Sequence, residues 1–258
     1  MRIVVACKYV PDATGDRSFE PDGTVDRDAV DGVLSELDEY AVEQALQIAE
    51  AQGADTVALT VGPPDAVDAV RKALQMGVAE AVHIQDDAIA GSDVFATSAI
   101  LAAAARKLEA DLVLFGMAST DGGAGVVPAL VADRLGIAAL TFASDLSVNG
   151  STVRISRESD TVVQQVEAQL PAVVSMTDRA AEARYPNFKG IMAAKKKKVT
   201  VWSLADLGPD VGAVGLESAL SAVASAERRP ARTAGQIVTD EGDGGVKLVE
   251  YLATHKFV

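Results

Sequence analysis

The sequence has one cysteine, Cys7, in 258 residues, so no disulfide can form within the chain. Its two histidines, His83 and His255, are too few for a His/Cys zinc centre, and only a carboxylate-based metal site stays open. No apolar run approaches the roughly 18–20 residues of a membrane span. The opening MRIVVACKYVPD is interrupted by Lys8 and Pro11 too early for a secretory signal, so the sequence reads as cytoplasmic. Cations are scarce as well, with 23 Lys and Arg against 37 Asp and Glu and a formal charge of −14. That balance argues against a nucleic-acid backbone as the main partner. There is no GxSxG elbow, HExxH or EF-hand pattern. His83 lies inside a strand-like run and reads as structural, and Cys7 reads as a small buried hydrophobe.

What is present is ample core material, with 49 % apolar residues. Near-continuous apolar runs at Ile3–Cys7, Thr56–Val61, Ala81–Ile84 and Leu112–Phe115 predict strands buried on both faces. Helical patterns separate them. One starts at Ser35, whose hydroxyl can cap, and carries Leu37, Ala41, Ala45 and Ile48 on one face as far as Gly53. A second opens at Pro63-Pro64-Asp65 and stops at Gly77, a third runs from Ser92-Asp93 to Leu108, and a fourth from Ala124 to Leu135 with Gly136 after it. This alternation predicts an α/β fold with a parallel sheet and a Rossmann-like core. Asn149-Gly150 between alternating segments then predicts a β-hairpin. Further strands are expected over Thr161–Leu170, Ala172–Met176 and Val199–Trp202. The domain is expected to span 1–208. After it, residues 209–258 lose periodicity until a helical stretch at Gly245–His255, and are either disordered or an arm lying on another subunit.

Charge is unevenly placed. Asp12 to Asp55 holds thirteen carboxylates against Arg17 and Arg27, whereas Arg179 to Lys198 holds seven cations against Glu182 alone. Both regions are solvated faces or docking surfaces for charged partners.

Parallel sheets bind ligands at the carboxyl ends of their strands, which directs attention to the loops there. The most informative is Gly116-Met117-Ala118-Ser119-Thr120-Asp121-Gly122-Gly123-Ala124-Gly125-Val126-Val127-Pro128. Its glycines let backbone N–H groups approach an anion, beside the positive end of the following helix. Asp121 is a candidate ribose acceptor or helix cap. The spacing matches neither the Lys-containing P-loop nor GxGxxG. A nucleotide-phosphate cradle and a ligand-free tight turn both fit. Without a P-loop lysine or a basic cluster, the cradle is suited to holding a nucleotide rather than hydrolysing it.

Taken in order along the chain, these segments resemble the β subunit of electron transfer flavoprotein. The match rests on Lys8-x-Val10-Pro11-Asp12, Asp38-Glu39-Tyr40-Ala41-Val42-Glu43-Gln44-Ala45 and Arg71-Lys72-Ala73-Leu74-x-Met76-Gly77. It continues through Val166-Glu167, Leu170-Pro171-Ala172-Val173, Arg184-Tyr185-Pro186, Gly190-Ile191-Met192-Ala193-Ala194-Lys195-Lys196-Lys197 and Thr233-Ala234-Gly235. The resemblance implies a non-catalytic half of a heterodimer whose α subunit holds most of the FAD, while this subunit holds a structural AMP. AMP would contact Ala6, Lys8 and Tyr9 and the loop Asp121, Gly122, Gly123, Ala124, Gly125, Val126 and Val127, with its phosphate on the Gly123–Val127 amides. FAD would face Pro11, Ala13 and Leu37. Mitochondrial-type members carry aromatic side chains at what look like the Ala13 and Leu37 positions, and this chain does not.

The resemblance further implies that residues 184–198 form a recognition loop docking on acyl-CoA dehydrogenases. Phe188 would be the apolar anchor, among Arg184, Tyr185, Lys189, Ile191, Met192 and Lys195. Electrons would leave toward a membrane quinone oxidoreductase, and the tail would wrap the α subunit. Electron-bifurcating members, which bind a second FAD in place of AMP, share an Asp-Gly-Asp-Thr-Ala-Gln-Val-Gly run. The corresponding Asp121–Pro128 lacks its second Asp, Thr and Gln, which points to AMP. The competing reading is a stand-alone adenine-nucleotide sensor of the universal-stress type, which has no use for the basic loop or the tail.

Overall fold

Apolar runs flanked by helices on both sides have one low-energy solution, a parallel sheet sandwiched between two helical layers. The computed structural model describes residues 1–231, 235 and 237–258, in two units, 1–226 and 227–258. The first unit begins with β1 (Arg2–Ala6), the short strands β2 (Tyr9–Pro11) and β3 (Gly32–Leu34), and α1 (Glu36–Gln52). Next come β4 (Asp55–Val61), α2 (Val67–Met76), β5 (Glu80–Ile84), α3 (Val94–Lys107), β6 (Leu112–Gly116) and α4 (Val127–Leu135). They are followed by β7 (Ala138–Asn149), β8 (Thr152–Glu158), β9 (Val163–Gln169), β10 (Ala172–Met176), α5 (Phe188–Ala194), β11 (Val199–Trp202) and α6 (Leu204–Leu207). Nine of these strands form one sheet in the order β11-β5-β4-β1-β6-β10-β7-β8-β9. Pairing is parallel from β11 to β7 and antiparallel for β7-β8-β9. The Rossmann-like α/β expectation with an added hairpin region is met.

Alternation along β1 divides the core in two. Ile3, Val5 and Cys7 pack against Ala41, Val42, Ala45, Val70 and Leu74 of α1 and α2. Val4 and Ala6 face the other way, toward Ile100, Ala103, Ala104 and Val131 of α3 and α4. Burial rather than capping holds α1 in place. The acids Glu36, Asp38 and Glu39 in its first turn contribute about 0.3–1 kcal/mol each through the helix dipole, whereas each fully buried Val, Leu or Ile contributes about 1.5–3 kcal/mol.

Several local expectations need correction. The Ser35 hydroxyl does not cap α1 and has no hydrogen-bond partner; its backbone carbonyl accepts from Asp38 instead. The fourth helix starts at Val127 rather than Ala124, because Gly123 and Gly125 take φ of +63° and +65°, outside the helical region. The hairpin pairs Asn149 with Thr152, so Gly150-Ser151 rather than Asn149-Gly150 make the two-residue loop. The segment expected to be a loop over 184–198 contains α5. Asn187 caps this helix by accepting the Gly190 N–H at 2.8 Å.

The first unit extends beyond residue 208. Val211 is buried among the α3-side core residues, and the Gly215 N–H donates to Ser92. Asp93 caps α3 with one carboxylate oxygen and takes the Leu220 and Ser221 N–H groups with the other. The second unit contains α7 (Gly244–Thr254), on which Val246, Leu248, Val249 and Tyr251 are exposed. Thr233 and Ala234 of the tail motif lie outside the described residues.

Candidate functional site

β1 is flanked by β4 on one side and β6 on the other, both parallel to it. The chain therefore leaves β1 and β6 in opposite directions, and their carboxyl ends bound a crevice at the topological switch point. A single carboxylate ties the two ends together. Asp38, buried in the first turn of α1, accepts the Lys8 N–H at 2.8 Å and the Gly116 N–H at 3.1 Å. Burial pushes its carboxyl up to about 7; both hydrogen bonds and the Lys8 charge act in the opposite direction. The approach is so close that a Cβ on Gly116 would sit 2.7 Å from Asp38 Oδ1 and from the Leu37 carbonyl. The neighbouring Cys7 thiol is pushed up by its burial and by the Asp38 charge.

Above this tie lies the glycine-rich loop, and it does have a basic cluster. Lys8 Nζ lies 2.8 Å from Asp121 Oδ1, and Arg27 Nη2 lies 2.7 Å from Oδ2. The Asp121 side chain is only 1 % exposed. Burial opposes its charge, but Lys8 and Arg27 outweigh that and hold the carboxyl far below the usual carboxylate range. Asp121 also accepts the Gly122 N–H at 2.7 Å. It is therefore neither a free ribose acceptor nor the cap of α4, which begins without a side-chain cap. Lys8 further donates to Ser119 Oγ, and Arg17 Nη1 donates to the Thr120 carbonyl at 2.8 Å.

The expected anion cradle is shorter than the sequence implied. The Gly123 N–H is spent on the Ser119 carbonyl. Among the described residues, the N–H groups of Ala124, Gly125, Val126 and Val127 have no acceptor. A Cβ on Gly123 would meet nothing within 4 Å, and Ala124 and Val126 are exposed, whereas a Cβ on Gly125 would lie 3.3 Å from the Met117 carbonyl. Open donors beside the dipole of α4 have the chemistry that receives a phosphate. This is the observation by which the residues fit a nucleotide.

The other predicted positions are dispersed. Ala6 is buried at the end of β1. The Tyr9 ring lies on Gly32 rather than on the loop, and its hydroxyl is pushed up by burial and by the Asp65 and Asp68 charges. Pro11 is buried in β2, Ala13 is exposed and Leu37 is half-buried. None of the three supplies an aromatic face.

In the basic segment, Tyr185 is 92 % and Phe188 79 % exposed, with Lys189, Met192 and Lys195 also exposed and Ile191 half-buried. Arg184 differs. Its guanidinium grips Glu43 at 2.7 Å and Glu50 at 2.5 Å, and these bonds raise its pKa. Burial works against the Glu43 charge, yet Arg184 outweighs it and lowers that carboxyl. Lys197 also points inward, donating to the Val78 carbonyl at 2.6 Å. Gly190 lets α5 approach α2, since a Cβ there would lie 2.5 Å from the Gln75 carbonyl.

His83 is buried with Nε2 3.1 Å from the Gly62 carbonyl, as a structural histidine should be. Among the described residues no cluster of His, Cys, Asp and Glu is placed to hold a metal ion, and no helix is long and apolar enough to cross a membrane.

Sequence reasoning missed Arg27 and the burial of Asp38, and each left a signal. Arg17 and Arg27 are the sole cations in an acidic run. Asp38 stands three and four residues before Ala41 and Val42, on the apolar stripe of α1.

A nine-stranded, mostly parallel sheet with helices on both faces and open backbone donors at its switch point defines an α/β protein with a Rossmann-like core. Residues 22–207 match the electron transfer flavoprotein domain family. The chain is 48 % identical to electron transfer flavoprotein subunit beta of Mycobacterium leprae and 47 % identical to that of Mycobacterium tuberculosis, over 99 % of each chain. It is 33 % identical to the caffeyl-CoA reductase-Etf complex subunit CarD of Acetobacterium woodii, over 93 % of this chain and 92 % of that one. The chain thus belongs to the electron transfer flavoprotein family, among its β subunits, and has an electron-transfer function.

Proposed function

We propose that this chain pairs with an α subunit that holds most of an FAD, and that it binds AMP as a structural ligand. The heterodimer takes electrons from acyl-CoA-type dehydrogenases and delivers them to a membrane quinone oxidoreductase. The observation that carries this reading is full-length identity at 48 % to a β subunit, combined with open N–H groups over Ala124–Val127 at the switch point. FAD supplies the redox chemistry when bound, and this chain contributes no group that reacts.

Its residues bind, position and dock. The Ala124–Val127 amides receive the AMP phosphate, and Lys8, paired with Asp121 earlier in the same loop, adds positive charge. Asp38 keeps the Lys8 and Gly116 strand ends at a fixed separation. Pro11, Ala13 and Leu37 are the positions that face FAD, and none of them offers an aromatic ring to stack on it. Phe188 and Tyr185 supply the apolar centre of a docking patch, and Lys189 and Lys195 steer it toward an acidic rim. Arg184 positions the segment through α1. The apolar face of α7, with Val246 and Val249, suits an arm that wraps the α subunit. The loop lacks the Asp, Thr and Gln of the bifurcating pattern, which favours AMP over a second FAD.

Isolation of the tagged chain from its own cells tests the reading. The expected eluate is yellow and contains a second chain, one FAD and one acid-released AMP. Two FAD would move the protein to the bifurcating branch, and a colourless homo-oligomer carrying an adenine nucleotide would replace this reading with the sensor one.

A further inference from the structure

The excursion between β2 and β3 uses its charges in two different ways. Three of its acids accept hydrogen bonds locally: Asp12 from Thr14, Asp22 from Thr24, and Asp26 from Ser18 and the Asp28 N–H. Both of its cations also reach the glycine-rich loop, Arg17 at the Thr120 carbonyl and Arg27 at Asp121.

Arg27 has donors beyond those the loop uses. Its contact with Asp121 is a single Nη2–Oδ2 bond, whereas a guanidinium gripping a carboxylate for its own sake commonly engages it through two. Its side chain is 49 % exposed, and that of Lys8 44 %. The Asp121 side chain is 1 % exposed and is paired with both cations. Lys8, Arg27 and Asp121 therefore present a net single positive charge, with spare N–H donors, on the loop whose following residues, Ala124–Val127, have open amides; Lys8 Nζ would lie 4.0 Å from a Cβ on Gly122.

We propose that Arg27 is a further nucleotide-binding residue, which together with Lys8 forms a charge clamp on the phosphate group of a nucleoside monophosphate, aimed by Asp121. The inference rests on the nucleotide reading above and adds a residue and a chemical basis for choosing a nucleotide over a nucleoside. Asp121 holds the two cations apart and ready, so little side-chain freedom is lost when the phosphate arrives.

The test compares AMP with adenosine, which differ only in the group the clamp would hold. Equilibrium dialysis on the assembled heterodimer, after exchange of its bound nucleotide, gives both affinities at low and high KCl. Arg27→Gln is expected to weaken AMP by about tenfold or more, the scale of a charged hydrogen bond, and to leave adenosine unchanged. Arg27→Lys should fall between the wild type and Arg27→Gln. The salt dependence of AMP binding should also be shallower in Arg27→Gln than in the wild type, since one screened attraction is gone. Equal weakening of both ligands would make Arg27 a staple of the loop and overturn the proposal, as would no change in either. A wild-type heterodimer that binds neither ligand would instead remove the nucleotide reading itself, and the clamp with it.

Discussion

The glycine-rich loop and the basic segment after β10 handle charge in opposite ways. In the loop, Asp121 is buried under Lys8 and Arg27, and the face left open consists of backbone N–H groups. In the basic segment, Lys189, Lys195 and Phe188 stay in solvent, while Arg184 is sunk onto Glu43 and Glu50 and Lys197 onto the Val78 carbonyl. The lesson is that a run of charges in sequence does not say which member faces outward. One arginine of the basic segment is an internal anchor, and one arginine of the acidic segment pairs with Asp121 of the glycine-rich loop.

Breaking the anchor should have the largest effect. Arg184→Ala leaves Glu43, whose side chain is only 6 % exposed, without its cation and with Gln47 as its remaining side-chain donor, and a buried charge that loses its counter-ion costs about 3–5 kcal/mol. Thermal unfolding should report a large fall in stability. Arg184→Lys should recover only part of it, because the fork that reaches both acids is lost. An unchanged melting temperature would place Arg184 among the outward cations after all.

The loop should be more sensitive in ligand binding than in folding. Gly123→Val imposes a β-branched side chain at φ +63°, a strained conformation that costs about 1–3 kcal/mol, and adds bulk next to the open amides. AMP content of the purified heterodimer should drop sharply, with flavin content less affected. Full retention of AMP would move the phosphate elsewhere.

The docking face should respond in rate alone. Phe188→Ala should slow dehydrogenase-coupled flavin reduction about tenfold, as expected for loss of a central apolar anchor, with FAD content and stability as in the wild type. An unchanged rate would show that its exposure has no role in docking.

The smallest effect is a change of slope with pH. The Asp38 pKa is raised from 3.8 to about 7, so its protonated form is favoured on folding. Its contribution is fully present below the unfolded value and is lost as pH rises toward 7. Asp121 is lowered, so its contribution is present above the unfolded value and is lost at more acid pH. Denaturant titrations of Asp38→Asn between pH 4 and 7 should show a stability slope altered by up to one proton. An identical slope would mean that Asp38 keeps an ordinary carboxylate pKa when folded.

Much of the fold was legible because burial on both faces imprints continuous apolar runs on β1, β4, β5 and β6, and helix ends were marked by Gly53, Gly77 and Gly136. The short ribbon of β2 and β3 was not legible, since three residues carry no period. Nor was α5, because its side chains are largely exposed and leave no buried stripe. The start of α4 was misplaced because Ala124 and Val126 are compatible with helix, while left-handed Gly123 and Gly125 are not. Within the site, the open amides followed from glycines beside a helix start. The use of Asp121 did not, since a carboxylate that accepts from a ribose and one buried under two cations are the same letter.

By itself, the sequence determined the layered α/β architecture, the location of a glycine-rich loop with open backbone N–H groups, and a likeness spread along the whole chain that marks the family. These are properties of local pattern, set by which residues repeat at strand and helix periods and where glycine interrupts them. The tertiary structure decided that Arg27 crosses from an acidic excursion to Asp121, that Asp38 ties two strand ends together, and that Arg184 turns inward. Each of these is a pairing between residues far apart in the chain. Such pairings follow from which side chains the sheet order brings within a few ångströms of one another, and no local period encodes that.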